Sequence, residues 1–218
     1  DRRIGNGRHL YATYGLSETA CVTSALSPEH DLLTASGFPI NGAKYALLKA
    51  DGSVEMSKGE GELLTHADTF MLGYYSKPEL TREAFLMIDG LPYIRTGDYG
   101  RIDERGYIYL ISRMKNVIVH NSYNIFPEQV EEIIGLSGWV KESCVFGKWR
   151  EDEATEEVCA LLVFNEEGSR FADSRTIQDF CREYLPYYSI PRIVIIADAI
   201  PHNSIGKIDR IAVKRLYG

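Results

Sequence analysis

The segment Pro201-His202-Asn203-Ser204-Ile205-Gly206-Lys207-Ile208-Asp209-Arg210 reads as a loop that offers one ammonium group, Lys207, to an anionic partner. Lysine is a compact charge on a flexible stem, and a glycine beside it adds mobility, which suits it to stabilise negative charge as it develops. The loop is not a Walker-type phosphate cradle. That motif needs glycine at position 201 and Ser or Thr after the lysine, where Pro201 and Ile208 stand. Upstream, Arg95-Thr96-Gly97-Asp98 presents a carboxylate that can accept hydrogen bonds from both vicinal hydroxyls of a ribose, and Gly97 lets the backbone come close without a Cβ. The same tripeptide also suits a turn between two strands. Near the start, Tyr14-Gly15-Leu16-Ser17-Glu18-Thr19 offers an aromatic face for a purine, a hydroxyl (Ser17) for a phosphate oxygen, and a hard oxygen ligand (Glu18) for Mg²⁺. Ser and Thr equally cap helix starts, and a cap that meets a phosphate satisfies both readings. Arg113 and Lys115, just past the apolar run Tyr107 to Ile111, can meet ribose or phosphate oxygens or simply face water.

Together, in this order and at these separations, these groups resemble the second half of an adenylate-forming acyl- or aminoacyl-activating enzyme, a resemblance that implies the activation of a carboxylate by ATP. In that reaction an acid attacks the α-phosphorus while pyrophosphate leaves, so two anions are forced together and cations must stabilise the developing charge. Such a site requires a carboxylate for Mg²⁺, an anchor for the ribose and at least one lysine. Asp98, Glu18 and Lys207 fill those roles.

Elements must hold these residues in place. Between Lys44 and Tyr109, turn signals recur at Asp51-Gly52, Lys58-Gly59-Glu60-Gly61, Asp89-Gly90 and Arg105-Gly106. The short aliphatic and aromatic stretches between them predict antiparallel strands and hairpins. Lys77 to Phe85, with Pro78 in the first turn, predicts one helix. After Arg113 the period changes. Pro127 opens a helix whose apolar face is Val130, Ile133 and Ile134, with Glu128, Gln129, Glu131 and Glu132 toward water. Strands follow at Glu142 to Phe146, Glu157 to Phe164 and Arg192 to Ala197, with a helix from about Ser174 to Leu185 and a short amphipathic helix from Ile208 to Leu216. The expected fold is α+β: a β-rich, partly barrel-like portion over 1–112 and a small α+β domain over 113–218.

The 218 residues are 44% hydrophobic and 25% charged, as in ordinary globular proteins, and the net charge of −7 argues against a nucleic-acid surface. Apolar runs fall far short of the ~20 residues that span a bilayer. The four cysteines, Cys21, Cys144, Cys159 and Cys181, are widely spaced within apolar stretches, which predicts buried thiols, a reducing cytoplasm and no zinc site. The chain begins Asp1-Arg2-Arg3-Ile4, without methionine or signal peptide, which leads us to expect part of a longer protein.

The ordered set of motifs resembles the adenylate-forming (AMP-binding) superfamily of acyl-CoA synthetases, peptide-synthetase adenylation domains and luciferases. Gly59-Glu60-Gly61-Glu62-Leu63, Gly73-Tyr74-Tyr75, Gly106-Tyr107-Ile108-Tyr109 and the ligase-like Asn124-Ile125-Phe126-Pro127-Glu128-Gln129-Val130-Glu131 extend the likeness over essentially the whole chain. The resemblance implies that residues 1–112 are the last part of a large N-terminal domain and 113–218 a C-terminal lid. It also implies ATP/AMP, Mg²⁺ and CoA as ligands, and an acyl-CoA synthetase type of activity on a small carboxylic acid. By matching positions, Tyr14 and Gly15 would border the adenine and acyl pocket, Ser17 the phosphate, Glu18 the magnesium, Asp98 the ribose and Arg113 the nucleotide. Lys207 would serve the adenylation transition state and Lys115 the hinge of the lid. Val119 stands where many members carry lysine, and Ser122 where they usually carry glycine, which bears on the thioester half-reaction. The Ser/Thr/Gly-rich loop that grips the β- and γ-phosphates in the family is absent upstream of Tyr14, so the isolated chain is expected to have little activity. An adenylation domain that loads an amino or aryl acid onto a carrier protein, and a non-catalytic nucleotide-sensing module, are the competing expectations.

Overall fold

The computed structural model describes residues 11–27, 35–40 and 42–218. The fold is α+β and strand-rich, and it groups into two compact units that meet in sequence between Met114 and Lys115.

In the first unit the strands are β1 (Thr13–Leu16), β2 (Cys21–Ala25), β3 (Phe38–Pro39), β4 (Lys44–Leu48), β5 (Val54–Glu55) and β6 (Gly59–His66). Helix α1 (Pro78–Ala84) follows, then β7 (Phe85–Ile88), β8 (Leu91–Ile102) and β9 (Ile108–Arg113). β1, β2 and β3 form a small antiparallel sheet. The others form a curled sheet in the order β5-β4-β6-β8-β7, with β9 pairing the far half of β8. The predicted turns at Asp51-Gly52, Asp89-Gly90 and Arg105-Gly106 join paired strands (β4–β5, β7–β8 and β8–β9), because each short apolar stretch must fold back to bury its face. The turn expected at Lys58-Gly59-Glu60-Gly61 is corrected: Gly59, Glu60 and Gly61 lie inside β6, opposite Ile102, Arg101 and Gly100. Tyr14, Leu47, Leu63, Ile102 and Ile108 pack on one side of this sheet, and Ala46, Leu64 and Tyr93 on the other.

Thr96-Gly97-Asp98 does not form a turn at the end of a strand. It lies inside β8, at a bulge: Glu62 opposes Tyr99 while Leu64 opposes Arg95, so β8 uses two residues more than β6 over this interval. Bulges re-aim side chains and break the ladder locally, and they are frequent beside active sites.

The second unit begins with a hairpin of β10 (Ile118–His120) and β11 (Tyr123–Ile125), which the sequence reading had not anticipated. Its two-residue tip holds Asn121 at φ +48° and Ser122 at φ +68°, left-handed values of the kind a tight hairpin turn demands. Helix α2 (Pro127–Leu136), β12 (Val140–Arg150), β13 (Thr155–Phe164), α3 (Gly168–Phe171), α4 (Ser174–Tyr184), β14 (Ile193–Ile196) and α5 (Arg210–Tyr217) complete it. β13 is central, antiparallel to β12 and parallel to β14. Residues of α2 and α4 pack on one face of the sheet and Val213 of α5 on the other, so β13 is buried on both sides. That accounts for its unbroken apolar run.

One expectation for α2 is corrected. Glu131 does not face water: its Oε1 accepts from the Val145 backbone N–H at 2.6 Å and its Oε2 meets Arg210 Nη2 at 2.7 Å. Arg210 also donates to the Val145 carbonyl at 2.8 Å. The pair ties α5 to α2 and β12. Cys144, Cys159 and Cys181 are free and buried, as expected, whereas the side chain of Cys21 lies outside the described residues. Among the described residues no helix is long and apolar enough to cross a membrane.

Candidate functional site

Asp98 sits where the β8 bulge meets β9. It is directly opposite Arg113 in the antiparallel register, and Arg113 Nε lies 2.8 Å from Asp98 Oδ1. The second oxygen, Oδ2, accepts from the Tyr14 hydroxyl at 2.7 Å. Asp98 is only 5% exposed, and Arg113 reaches it from a largely exposed position. Burial pushes the Asp98 carboxyl above its ordinary value, the Tyr14 hydrogen bond and Arg113 oppose that, and Glu62 adds to the rise. Burial, followed by the hydrogen bond to Asp98 and its charge, drives the Tyr14 phenol far above its ordinary value, so Tyr14 is a fixed donor.

The bulge is held from beneath. Gly97 N–H loses its ladder partner there and donates instead to Glu62 Oε1 at 3.2 Å, while Glu62 Oε2 accepts from Arg95 Nη2 at 2.7 Å. Thr96 Oγ1 donates to the Leu63 carbonyl at 2.7 Å and accepts from Asp98 N–H at 3.0 Å. Gly97 has φ +67°, and a Cβ built there would meet nothing within 4 Å. Glycine is needed for the left-handed backbone, not for space within the chain.

An open cleft of about 800 Å³ lies over this region, lined among others by Gly15, Ser17, Glu18, Tyr74, Gly97 and Arg113. Gly15 and Ser17 are exposed, and Ser17–Thr19 forms a short 3₁₀ turn that follows β1. The structure therefore gathers Gly15, Ser17, Glu18 and Arg113 at one cleft, with the Asp98 carboxylate set behind it. Tyr14 differs from expectation. Its ring is 8% exposed and packs with Leu47, Leu63 and Ile108, so the hydroxyl, not a stacking face, is what it contributes. Glu62, Thr96 and Tyr74 had not been singled out as site residues. Only the glycine-flanked motifs around Glu62 and Tyr74 signalled them.

Mg²⁺ is commonly held by one or two carboxylates, with substrate phosphates and water supplying the other ligands. No group of three His, Cys, Asp or Glu gathers as a metal site among the described residues. A single hard carboxylate, Glu18, beside the exposed Ser17 in an open cleft has the donor chemistry for that arrangement.

In the second unit, Lys207 is exposed and makes no ion pair among the described residues. Its loop is firmer than expected. Asn203 Oδ1 accepts from the backbone N–H groups of Ile205 (3.1 Å) and Lys207 (3.0 Å), and Asn203 N–H donates to the Lys207 carbonyl at 2.8 Å. Gly206 takes φ +77° at the tip. Mobility therefore belongs to the lysine side chain, not its backbone. Lys115 is exposed in a short 3₁₀ turn (Met114–Asn116).

Residues 129–207 match the model of the AMP-binding enzyme C-terminal domain. The chain is 32% identical over 207 residues to the long-chain-fatty-acid–CoA ligase FadD13 of Mycobacterium tuberculosis, covering 94% of this chain and 39% of that protein. It is 32% identical over 212 residues to the 2-succinylbenzoate–CoA ligase of Geobacillus kaustophilus, covering 96% and 42%. Among solved structures, ATP-bound MatB from Rhodopseudomonas palustris superposes with a TM-score of 0.85 at 25% identity, covering 97% of this chain and 41% of that one. The chain spans about two fifths of the length of these relatives. A β8 bulge bearing Thr-Gly-Asp and the Ser-Glu-Thr turn that lines the same cleft thus occur in a chain that matches the AMP-binding enzyme C-terminal domain over residues 129–207 and is similar over almost its whole length to CoA ligases.

Proposed function

We propose that these residues belong to an ATP-dependent carboxylate-CoA ligase, which forms an acyl-adenylate with release of pyrophosphate and then an acyl thioester. The observation that carries this reading is the cleft lined by Ser17, Glu18, Gly97 and Arg113, next to the carboxylate of Asp98 that Tyr14 and Arg113 hold in place. A carboxylate with two protein partners keeps lone pairs for both ribose hydroxyls and needs no reorientation to receive them. Gly15 borders the adenine, the Ser17 hydroxyl meets a phosphate oxygen, and Arg113 bridges Asp98 and the nucleotide. Glu18 would hold Mg²⁺, which supplies charge neutralisation on the triphosphate. Lys207 acts as a cationic clamp on the charge that develops as acid and α-phosphate meet, and Lys115 as the hinge of a lid formed by residues 113–218. The buried thiols suit a reducing cytoplasm.

The decisive experiment uses Lys207→Ala in a protein that carries these residues at the relatives' full length. Acyl-adenylate formation, followed as pyrophosphate exchange, should fall by roughly two to three orders of magnitude, as for loss of one preorganised charge-stabilising group. Thioester formation from supplied acyl-adenylate should persist. Equal loss of both half-reactions, or of neither, refutes the role of Lys207.

A further inference from the structure

We infer that Tyr74 is a positioning residue for Glu18, fixing the carboxylate that meets the cation; the inference rests on the reading of Glu18 as the metal carboxylate. The Tyr74 hydroxyl donates to Glu18 Oε1 at 2.8 Å, and both residues line the same cleft. Left alone, Glu18 would be poorly placed for the task. It sits in a three-residue turn, and a glutamate has three side-chain torsions whose ordering opposes a fixed position. Tyrosine brings a rigid ring with two torsions. One hydrogen bond on Oε1 leaves Oε2, and the remaining lone pair of Oε1, free for a cation.

The scaffold behind Tyr74 is built for position. Its backbone N–H donates to Thr81 Oγ1 at 2.9 Å, and Thr81 Oγ1 in turn donates to the Lys77 carbonyl at 3.0 Å in the first turn of α1. Gly73 takes φ +146°, and a Cβ there would come within 2.7 Å of Thr81 Cγ2, so glycine alone lets the strand-like segment lie against the helix. From the other side, Met71 N–H donates to the Glu18 carbonyl at 2.8 Å and Thr69 Oγ1 to the Thr19 carbonyl at 2.6 Å. The segment Thr69–Tyr74 thus grips the backbone of the turn and the tip of its carboxylate. Tyr74 is itself 38% exposed, so burial in a core does not explain its ring; the hydroxyl has the directed contact.

The test is a double-mutant cycle on the 218-residue chain, with Mn²⁺ as the paramagnetic stand-in for Mg²⁺. Binding of the Mn²⁺–ATP complex is titrated by the rise in water-proton relaxation rate as protein is added, for the wild type, Tyr74→Phe, Glu18→Gln and the double variant, with circular dichroism to confirm folding. Tyr74→Phe should weaken Mn²⁺ binding about three- to tenfold, the worth of one hydrogen bond to a charged group in a partly wet site. In the Glu18→Gln background the same change should have no further effect beyond about twofold. Tyr74→Phe that leaves binding unchanged, or that costs the same in both backgrounds, overturns the positioning role. The Glu18→Gln arm tests the underlying reading separately: if it binds Mn²⁺ like the wild type, or if the wild-type chain binds none with ATP, Glu18 is not the metal carboxylate and the inference falls with it.

Discussion

Replacing Arg210 with methionine strands a charge in the second unit. Glu131 and Arg210 have side chains only 16% and 23% exposed, and they meet at 2.7 Å. Methionine keeps most of the aliphatic stem and its packing but deletes the ion pair, the bond to the Val145 carbonyl and the weaker approach to Glu128 at 3.8 Å. Glu131 then retains the Val145 N–H and no cation. Removing one member of a buried pair costs about 3–5 kcal/mol. Partial exposure places this pair at the low end, about 3 kcal/mol at neutral pH, or a fall in melting temperature of roughly 15 °C for a unit of this size. Both tryptophans, Trp139 and Trp149, lie in the second unit, so urea denaturation followed by tryptophan fluorescence reports on it specifically. The loss should also depend on pH. Burial already raises the Glu131 carboxyl above its ordinary value, with Arg210 opposing, so deleting Arg210 raises it further. A carboxyl whose folded value exceeds its unfolded value holds its proton more tightly in the native state. The deficit relative to wild type is therefore greatest above the folded value and shrinks as pH falls through it toward the unfolded one. In a Glu131→Gln background, Arg210→Met should cost much less, since no charge is left stranded. A loss below about 1 kcal/mol at pH 7, or a deficit that grows on acidification, would refute this account.

Ser122→Gly relieves a left-handed residue at the β10–β11 tip and should raise the stability of the second unit by about 0.5–1 kcal/mol, read in the same urea titration; a neutral or destabilising outcome contradicts the strain. Burial pushes the Cys144, Cys159 and Cys181 thiols up to about 11. At pH 8 site-resolved labelling by a thiol reagent should be at least about a hundredfold slower at these three in the folded chain than in urea, and prompt labelling of any one of them would contradict its burial.

Much of the fold was legible because it is written in local alternation: the turns at Asp51-Gly52, Asp89-Gly90 and Arg105-Gly106 mark hairpins, and the 3.6-residue period after Pro127 marks α2. Gly59 and Gly61 look like turn residues but lie inside β6, where a Cβ at Gly61 would come within 2.6 Å of the Leu48 carbonyl oxygen. What was not legible is long-range. Glu131 looks like a surface residue on a helical wheel, and only a partner 79 residues away in sequence brings it inside. Tyr14 reads as an aromatic face because its pairing with Asp98 spans 84 residues. The β10–β11 hairpin escaped notice because its strands have three residues each and its tip, Asn121-Ser122, lacks the glycine that signals such turns. Thr96-Gly97-Asp98 was found as a motif, but its place inside a strand follows from β6 and could not be read from the tripeptide.

That bulge constrains insertions and deletions as much as it constrains residue type. β8 gains two residues on β6 there, an even number, so its alternation is undisturbed: Ile94, Thr96, Asp98, Gly100 and Ile102 all stay on the buried side. A single residue added or lost between Arg95 and Tyr99 would turn Gly100 and Ile102 outward and bring Tyr99 and Arg101 into the core, because a strand shifted by one exchanges its faces. Length across this interval should therefore drift only in steps of two, while individual side chains at its exposed positions remain free to vary.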